Sequence, residues 1–146
     1  MKEGMTIIVK TITRFVGAMI MLFGAYIVLH GHLTPGGGFA GGVILASGFI
    51  LLTLAFGKNV SSKILSQRAA SGFESLGGLI FLGTALLGYA GGFFFLNLLP
   101  KGVSGKILSA GIIPVCNIGI GIKVGAALFA VFTALVILRI KPGKEE

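Results

Sequence analysis

Acidic residues are nearly missing from this chain: aspartate is absent, and the only carboxylates are Glu3, Glu74, Glu145 and Glu146. Paired-carboxylate acid–base chemistry and a Ser-His-acid triad each need an acid close to a partner, so neither can be assembled here. The single cysteine, Cys116, excludes an internal disulfide and any cysteine-based zinc site. The two histidines, His30 and His32, are two apart and do not share a helical face. No further His or Asp completes a metal site, so they read first as structural or interfacial residues and second as a proton relay. No catalytic site and no cofactor site emerge from these residues. The charge balance is +8, but the basic residues stand in ones and twos at the edges of apolar runs, not in a stripe interleaved with aromatics. That pattern excludes nucleic acid as a partner. The apolar run that follows Lys2, Glu3 and Lys10 has no small-residue cleavage site near its end, and is expected to be a retained helix and not a signal peptide.

What the chain does have is hydrocarbon. An apolar content of 55% against 11% charged, with a mean hydropathy of +1.03, defines an all-α, polytopic membrane protein. Four spans are expected, at about 13–30, 38–56, 72–99 and 117–140, forming one membrane domain over 1–146. A polar connector joins the second and third spans. The third is long enough that it must tilt or protrude. The apolar loop before the fourth has the composition to lie in the membrane interface or against the protein.

The stretch from Leu29 to Gly42 organises the whole. It holds both histidines, Pro35 and six of the 25 glycines between two apolar runs. Pro35 biases Thr34 away from helix, and Gly36, Gly37 and Gly38 permit backbone angles strained for other residues, so a sharp reversal is expected. Gly37 with Gly41, and Gly38 with Gly42, form overlapping Gly-x-x-x-Gly pairs that admit another backbone. A phosphate cradle is discounted, because the stretch lacks a Lys-Ser/Thr ending and no strand precedes it.

Nine of the twelve basic residues fall on the side of the two termini and the connector, two (Lys101 and Lys106) on the other, and Lys123 within a span. The positive-inside rule then makes both termini cytoplasmic and the Gly-rich turn external, in a multi-pass protein of the cell membrane. Ionisable residues within spans are costly and point to partners or water. Arg14 reads as snorkelling at a span end and Glu74 as a residue of a helix start. Lys123 sits about six residues into the last span, roughly 9 Å along the helix, too deep to snorkel easily. On these spans Glu74 lies about 16 Å inward of mid-span and Lys123 about 8 Å outward, a gap of roughly 24 Å that forbids their pairing. Arg14 is then the cation nearest in depth to Glu74, and Lys123 must meet a carboxylate from another subunit or face water. Asn117 adds a polar group at the entrance to the same span.

The string His30 to Gly42, joined to Asn117-Ile118-Gly119-Ile120-Gly121-Ile122-Lys123-Val124-Gly125, resembles the MnhB family of Mrp-type multisubunit cation/proton antiporters. The resemblance covers essentially the whole chain, with Ala40 a departure from its pattern. It implies an accessory membrane subunit whose partners are other subunits of an assembly exchanging Na⁺ for H⁺. Similar subunits occur in membrane-bound hydrogenases and related respiratory complexes, where the chain would be a non-catalytic part of a redox-driven pump. Two other readings are a stand-alone four-helix exporter acting as a homodimer and a purely structural assembly subunit.

The charge count generates a first prediction. In a Cys116→Ser background, cysteine placed at Ser62 should react with an impermeant maleimide only from the cytoplasmic side. Labelling from outside would reverse the orientation.

Overall fold

The computed structural model describes residues 5–57, 65–107 and 109–140. Four long helices carry the architecture: α1 (Ile7–His30), α2 (Gly37–Phe56), α3 (Gln67–Leu87) and α4 (Ile113–Ile140). All four are long and apolar enough to cross a membrane, and no strand occurs among the described residues. The 20 residues of α2 reach about 30 Å at 1.5 Å per residue, the thickness of the hydrocarbon core.

Local chemistry places the helix ends. After α1, the Leu33 and Thr34 amides and the Thr34 hydroxyl all donate to the His30 carbonyl, closing a turn that stops the helix. Pro35 follows, and then Gly36 and Gly37 take φ of 134° and 67°, the left-handed side that favours glycine. Ser66 caps α3, its hydroxyl accepting from the Ala69 amide at 3.1 Å. Pro114 lies in the first turn of α4, where a missing N–H leaves no intrahelical bond unmade.

The helices form a curved single row in the order α1, α2, α4, α3, with α1 touching α4 only lightly. Neighbours α1 and α2 are antiparallel, the Met5 amide donating to the Ala55 carbonyl at 3.1 Å. Helices α2 and α4 run parallel, Gly38 facing Asn117 and Gly42 facing Gly121. Helices α3 and α4 are antiparallel, with Gly77 against Gly119 and the Thr84 hydroxyl 3.4 Å from Cys116 Sγ. One end of the row therefore carries the Gly-rich turn and the other the connector.

Backbone proximity holds these contacts. A Cβ on Gly77 would lie 2.7 Å from the Lys123 amide nitrogen, and one on Gly42 2.8 Å from the Gly121 carbonyl oxygen. Gly41 points the other way, toward α1, where a Cβ would come within 2.9 Å of the Val28 nitrogen. The overlapping glycine pairs thus serve both neighbours of α2 at once. Lipid tails are as apolar as leucine, so close van der Waals contact and not hydrophobic burial holds such helices together. The buried apolar side chains accordingly are mostly alanine, with Val28 and Phe129, while large residues such as Ile7, Leu22 and Leu79 face outward.

Three helix boundaries depart from the sequence expectation. Helix α1 begins at Ile7, not near 13, so Lys10 and Arg14 lie inside it. Helix α4 begins at Ile113, not 117. The largest difference is α3, which spans Gln67–Leu87 with a short 3-10 turn over Gly88–Gly91, in place of 72–99. Gly92 takes a left-handed φ of 98°, and the chain doubles back: the Phe95 amide donates to the Ala85 carbonyl at 3.2 Å. Gly88 makes the return possible, since a Cβ there would sit 2.5 Å from the Leu96 nitrogen. The basic residues Lys2, Lys58, Lys63, Lys141 and Lys144, on which much of the expected orientation rests, lie outside the described residues.

Gly77→Leu should lower the thermal midpoint in mild detergent by an amount equivalent to about 1–3 kcal/mol, the usual cost of overpacking. Gly72→Ala, where a Cβ meets nothing within 4 Å, should be neutral or gain up to about 1 kcal/mol of helix propensity. An unchanged midpoint for Gly77→Leu would refute backbone contact as the determinant of the α3–α4 packing.

Candidate functional site, a charged pair on the α3–α4 edge

The approach of α3 to α4 brings together two residues that the expected spans held apart. Lys123 Nζ lies 3.9 Å from Glu74 Oε1. The expectation that these residues cannot meet, and with it the need for Lys123 to find an acid in another subunit, is overturned. The reason is the shortened third helix. Glu74 lies thirteen residues before Leu87, about 20 Å from the turn end, and Lys123 ten residues after Ile113, about 15 Å from the same end. Antiparallel helices therefore carry the two charges at nearly matching depth. Gly77 allows the approach, one turn from Glu74, by admitting the backbone of Lys123.

The contact is an ion pair without a hydrogen bond, and it is open. The Lys123 side chain is 51% exposed and that of Glu74 41%. Neither helix shields the pair from what lies beside the row. On α3, Glu74 and Phe73 flank the Gly77 face on opposite sides, since successive helix residues turn by about 100°. Phe73, with Leu45, Phe49 and Ile122, lines an apolar groove of about 220 Å³ on the far side from the charges. The row is thus two-faced, one face bearing the ion pair and the other a groove lined by hydrocarbon.

The remaining candidates serve other parts of the fold. Arg14 does not approach Glu74: its guanidinium lies 5.1 Å from the centre of the Phe56 ring, at the α1 edge of the row, whereas α3 forms the opposite edge. A cation over a ring face is a favourable placement for a charge with no acid beside it among the described residues. The Asn117 side-chain Oδ1 accepts from the Gly38 amide at 3.3 Å. This supplies a cap for the start of α2, where Gly36 offers no side chain, while Asn117 Nδ2 is buried with no partner among the described residues. His30 donates through Nδ1 to the Tyr26 carbonyl at 3.1 Å and stacks on the Tyr26 ring with centres 4.2 Å apart. His32 donates through Nε2 to the Lys106 carbonyl at 3.2 Å, tying the Gly-rich turn to the loop before α4. The two histidines thus point to different partners. No three His, Cys, Asp or Glu side chains converge among the described residues.

Sequence reasoning missed the cap from Asn117, the Thr84–Cys116 contact and the ion pair itself. The signal for the last two was the run of small residues on facing helices, Gly77 on one and Gly119 on the other. Such a match fixes which turns of two helices lie side by side.

A thin helical wall with exposed large apolar side chains and a charged pair at mid-helix has the form of a membrane protein whose outward residues meet lipid or other helices. The family model for a domain related to the MnhB subunit of Na⁺/H⁺ antiporters matches residues 8–130, and the chain belongs to that family. It is 37% identical over 134 residues to the uncharacterized protein MJ1307 of Methanocaldococcus jannaschii, covering 84% of this chain and 49% of that one. It is 46% identical over 56 residues to the putative antiporter subunit mnhB2 of Staphylococcus saprophyticus, covering 38% and 39%. Among solved structures it is similar to a chain of the membrane-bound sulfane sulfur reductase, an archaeal respiratory membrane complex, with a TM-score of 0.76 and 34% identity over 92% of this chain and 61% of that one. The chain therefore spans half or less of the length of these two curated relatives.

The geometry predicts energetic coupling between Glu74 and Lys123. In a double-mutant cycle with Glu74→Gln and Lys123→Met, each single change should lower stability in detergent more than its share of the double. The coupling should be about 0.2–1 kcal/mol, the range of half-exposed ion pairs. Strict additivity would show that the two charges do not interact.

Proposed function

We propose that this chain is a non-catalytic subunit of a cation/proton antiport module in the cell membrane. Its α3–α4 edge borders an ion path that neighbouring subunits complete. Membership of the MnhB family supports the module. The half-exposed Glu74–Lys123 pair at mid-helix depth is the observation that carries the role of the edge. A charged side chain at the bilayer centre costs about 2.5–3.5 kcal/mol even on insertion scales. Lipid is therefore a poor cover for this face, and water or a polar surface of another subunit a good one. The contact is loose enough to exchange: a Na⁺ or a proton arriving at Glu74 would release Lys123, which then repels the next cation.

An autonomous exporter is disfavoured by shape. Glu74 lies close to mid-helix, so its depth no longer argues against a pump. A single curved row of four helices, however, encloses no path of its own among the described residues. A redox-driven parent complex is a second reading, favoured by the similarity to a subunit of the sulfane sulfur reductase. In that setting the chain would again bind no redox group, and Na⁺ and H⁺ would be ions moved by the assembly.

The test is transport in everted vesicles that carry the whole assembly. Lys123→Met and Glu74→Gln should each reduce Na⁺-dependent dissipation of a proton gradient by about tenfold or more, while native gels still show the intact complex. Lys10→Met, on α1 at the opposite edge of the row, should leave it unchanged. Normal exchange in an intact Lys123→Met complex would remove the pair from the ion path. Co-purifying redox subunits would select the respiratory reading.

A further inference from the structure

The segment between α3 and α4 is folded, apolar and outward-facing, a combination that neither an aqueous loop nor a membrane span explains. Its backbone is tied down at several points. The Asn97 side-chain Oδ1 accepts from the Ile112 amide at 3.3 Å, the Ala110 amide donates to the Lys101 carbonyl at 3.0 Å, and the Ser109 hydroxyl donates to the Lys106 carbonyl at 2.6 Å. His32 holds the same Lys106 carbonyl from the Gly-rich turn. Held this way, the segment still presents Phe93 at 72%, Phe94 at 54%, Val103 at 63% and Ile107 at 50% exposure.

Depth and charge narrow what can cover such a surface. Helix α3 is 21 residues long, about 31 Å, so it uses up the hydrocarbon thickness before the segment begins. Irregular backbone with open polar groups is not tolerated against lipid tails, so the segment lies at the level of the headgroups and not deeper. Lys101 and Lys106 are exposed within it, and no acidic residue occurs anywhere between Glu74 and Glu145. The patch is aromatic, aliphatic and purely cationic.

We infer that the segment between α3 and α4 is an interfacial anchor, seating Phe93, Phe94, Val103 and Ile107 among the upper acyl chains while Lys101 and Lys106 bind anionic lipid headgroups. Apolar side chains such as phenylalanine bury at the boundary between headgroups and acyl chains, and each lysine near an anionic surface strengthens binding. The anchor fixes the height of the Gly-rich turn in the bilayer through the His32 bond to the Lys106 carbonyl. It stands independently of the ion-path reading, because the segment begins about 20 Å along α3 from Glu74.

Photocrosslinking in native membranes tests this on the assembled complex. With p-benzoylphenylalanine in place of Phe93 or Val103, irradiation should yield adducts of this chain with phospholipid, enriched in anionic classes relative to their share of the membrane. Lys101→Gln or Lys106→Gln should each lower that enrichment about fivefold. Adducts with another subunit, or no adduct at either site, would overturn the anchor. Lipid adducts that mirror bulk composition would overturn the headgroup assignment.

Discussion

Everything in this fold depends on how closely α4 can approach its two neighbours. In a bilayer there is no gain from moving a leucine off lipid and onto another leucine, so helices associate where backbones can touch. Here α4 meets α2 at Gly38 and Gly42 and meets α3 at Gly77, with Gly119 and Gly121 on its own surface. These contacts act as a ruler. Because they pair glycine with backbone, a register that put Leu76 in the place of Gly77 would drive a Cβ into the Gly119 carbonyl. The register so fixed is the one that sets Glu74 beside Lys123. The ion pair is thus a consequence of the glycines, and the glycines would serve the same packing without it.

The same packing leaves the chain short of a core. Glycine and alanine interfaces bury little side-chain volume, and the large apolar residues face outward along both sides of the row. For a protein in water this would be an aggregation surface; for a subunit in a membrane it is the normal state of residues that meet lipid or other helices. A wall one helix thick, charged on one face and grooved on the other, can have different neighbours on its two sides. That asymmetry fits a component of a larger assembly better than a symmetric pair of identical walls.

How far the sequence foretold this varies with the kind of signal. The reversal at Pro35 to Gly38 was legible, because proline and glycine act on their own backbone and need no neighbour to do so. Four apolar helices were legible from hydropathy, and α2 was placed to within a residue because the Gly-rich turn and Gly57 bracket it. The end of α3 was not. Residues 93–99 are as apolar as any helix in the chain, and hydropathy records burial in hydrocarbon or protein without distinguishing a helix from a fold-back. Gly88, Gly91 and Gly92 were the warning. The misplaced end displaced mid-span, and from that came the false separation of roughly 24 Å between Glu74 and Lys123. Asn117 capping α2 was out of reach for a different reason: nothing local to Asn117 reveals which helix start lies beside it.

An in-chain partner for Lys123 changes what the neighbour must provide. A lone ammonium on α4 would demand a carboxylate from the adjoining subunit and would be costly until that subunit arrived. A Glu74–Lys123 pair carries no net charge, so α3 and α4 can enter the bilayer as a hairpin with each charge already opposed. The adjoining surface then needs no acid in particular. It needs only to keep lipid away from two half-exposed charges, by water or by polar side chains. Those are also the conditions under which a pair 3.9 Å apart can open and admit a cation between its members. The looseness that makes the pair a weak contributor to stability is what its proposed place at the edge of an ion path requires.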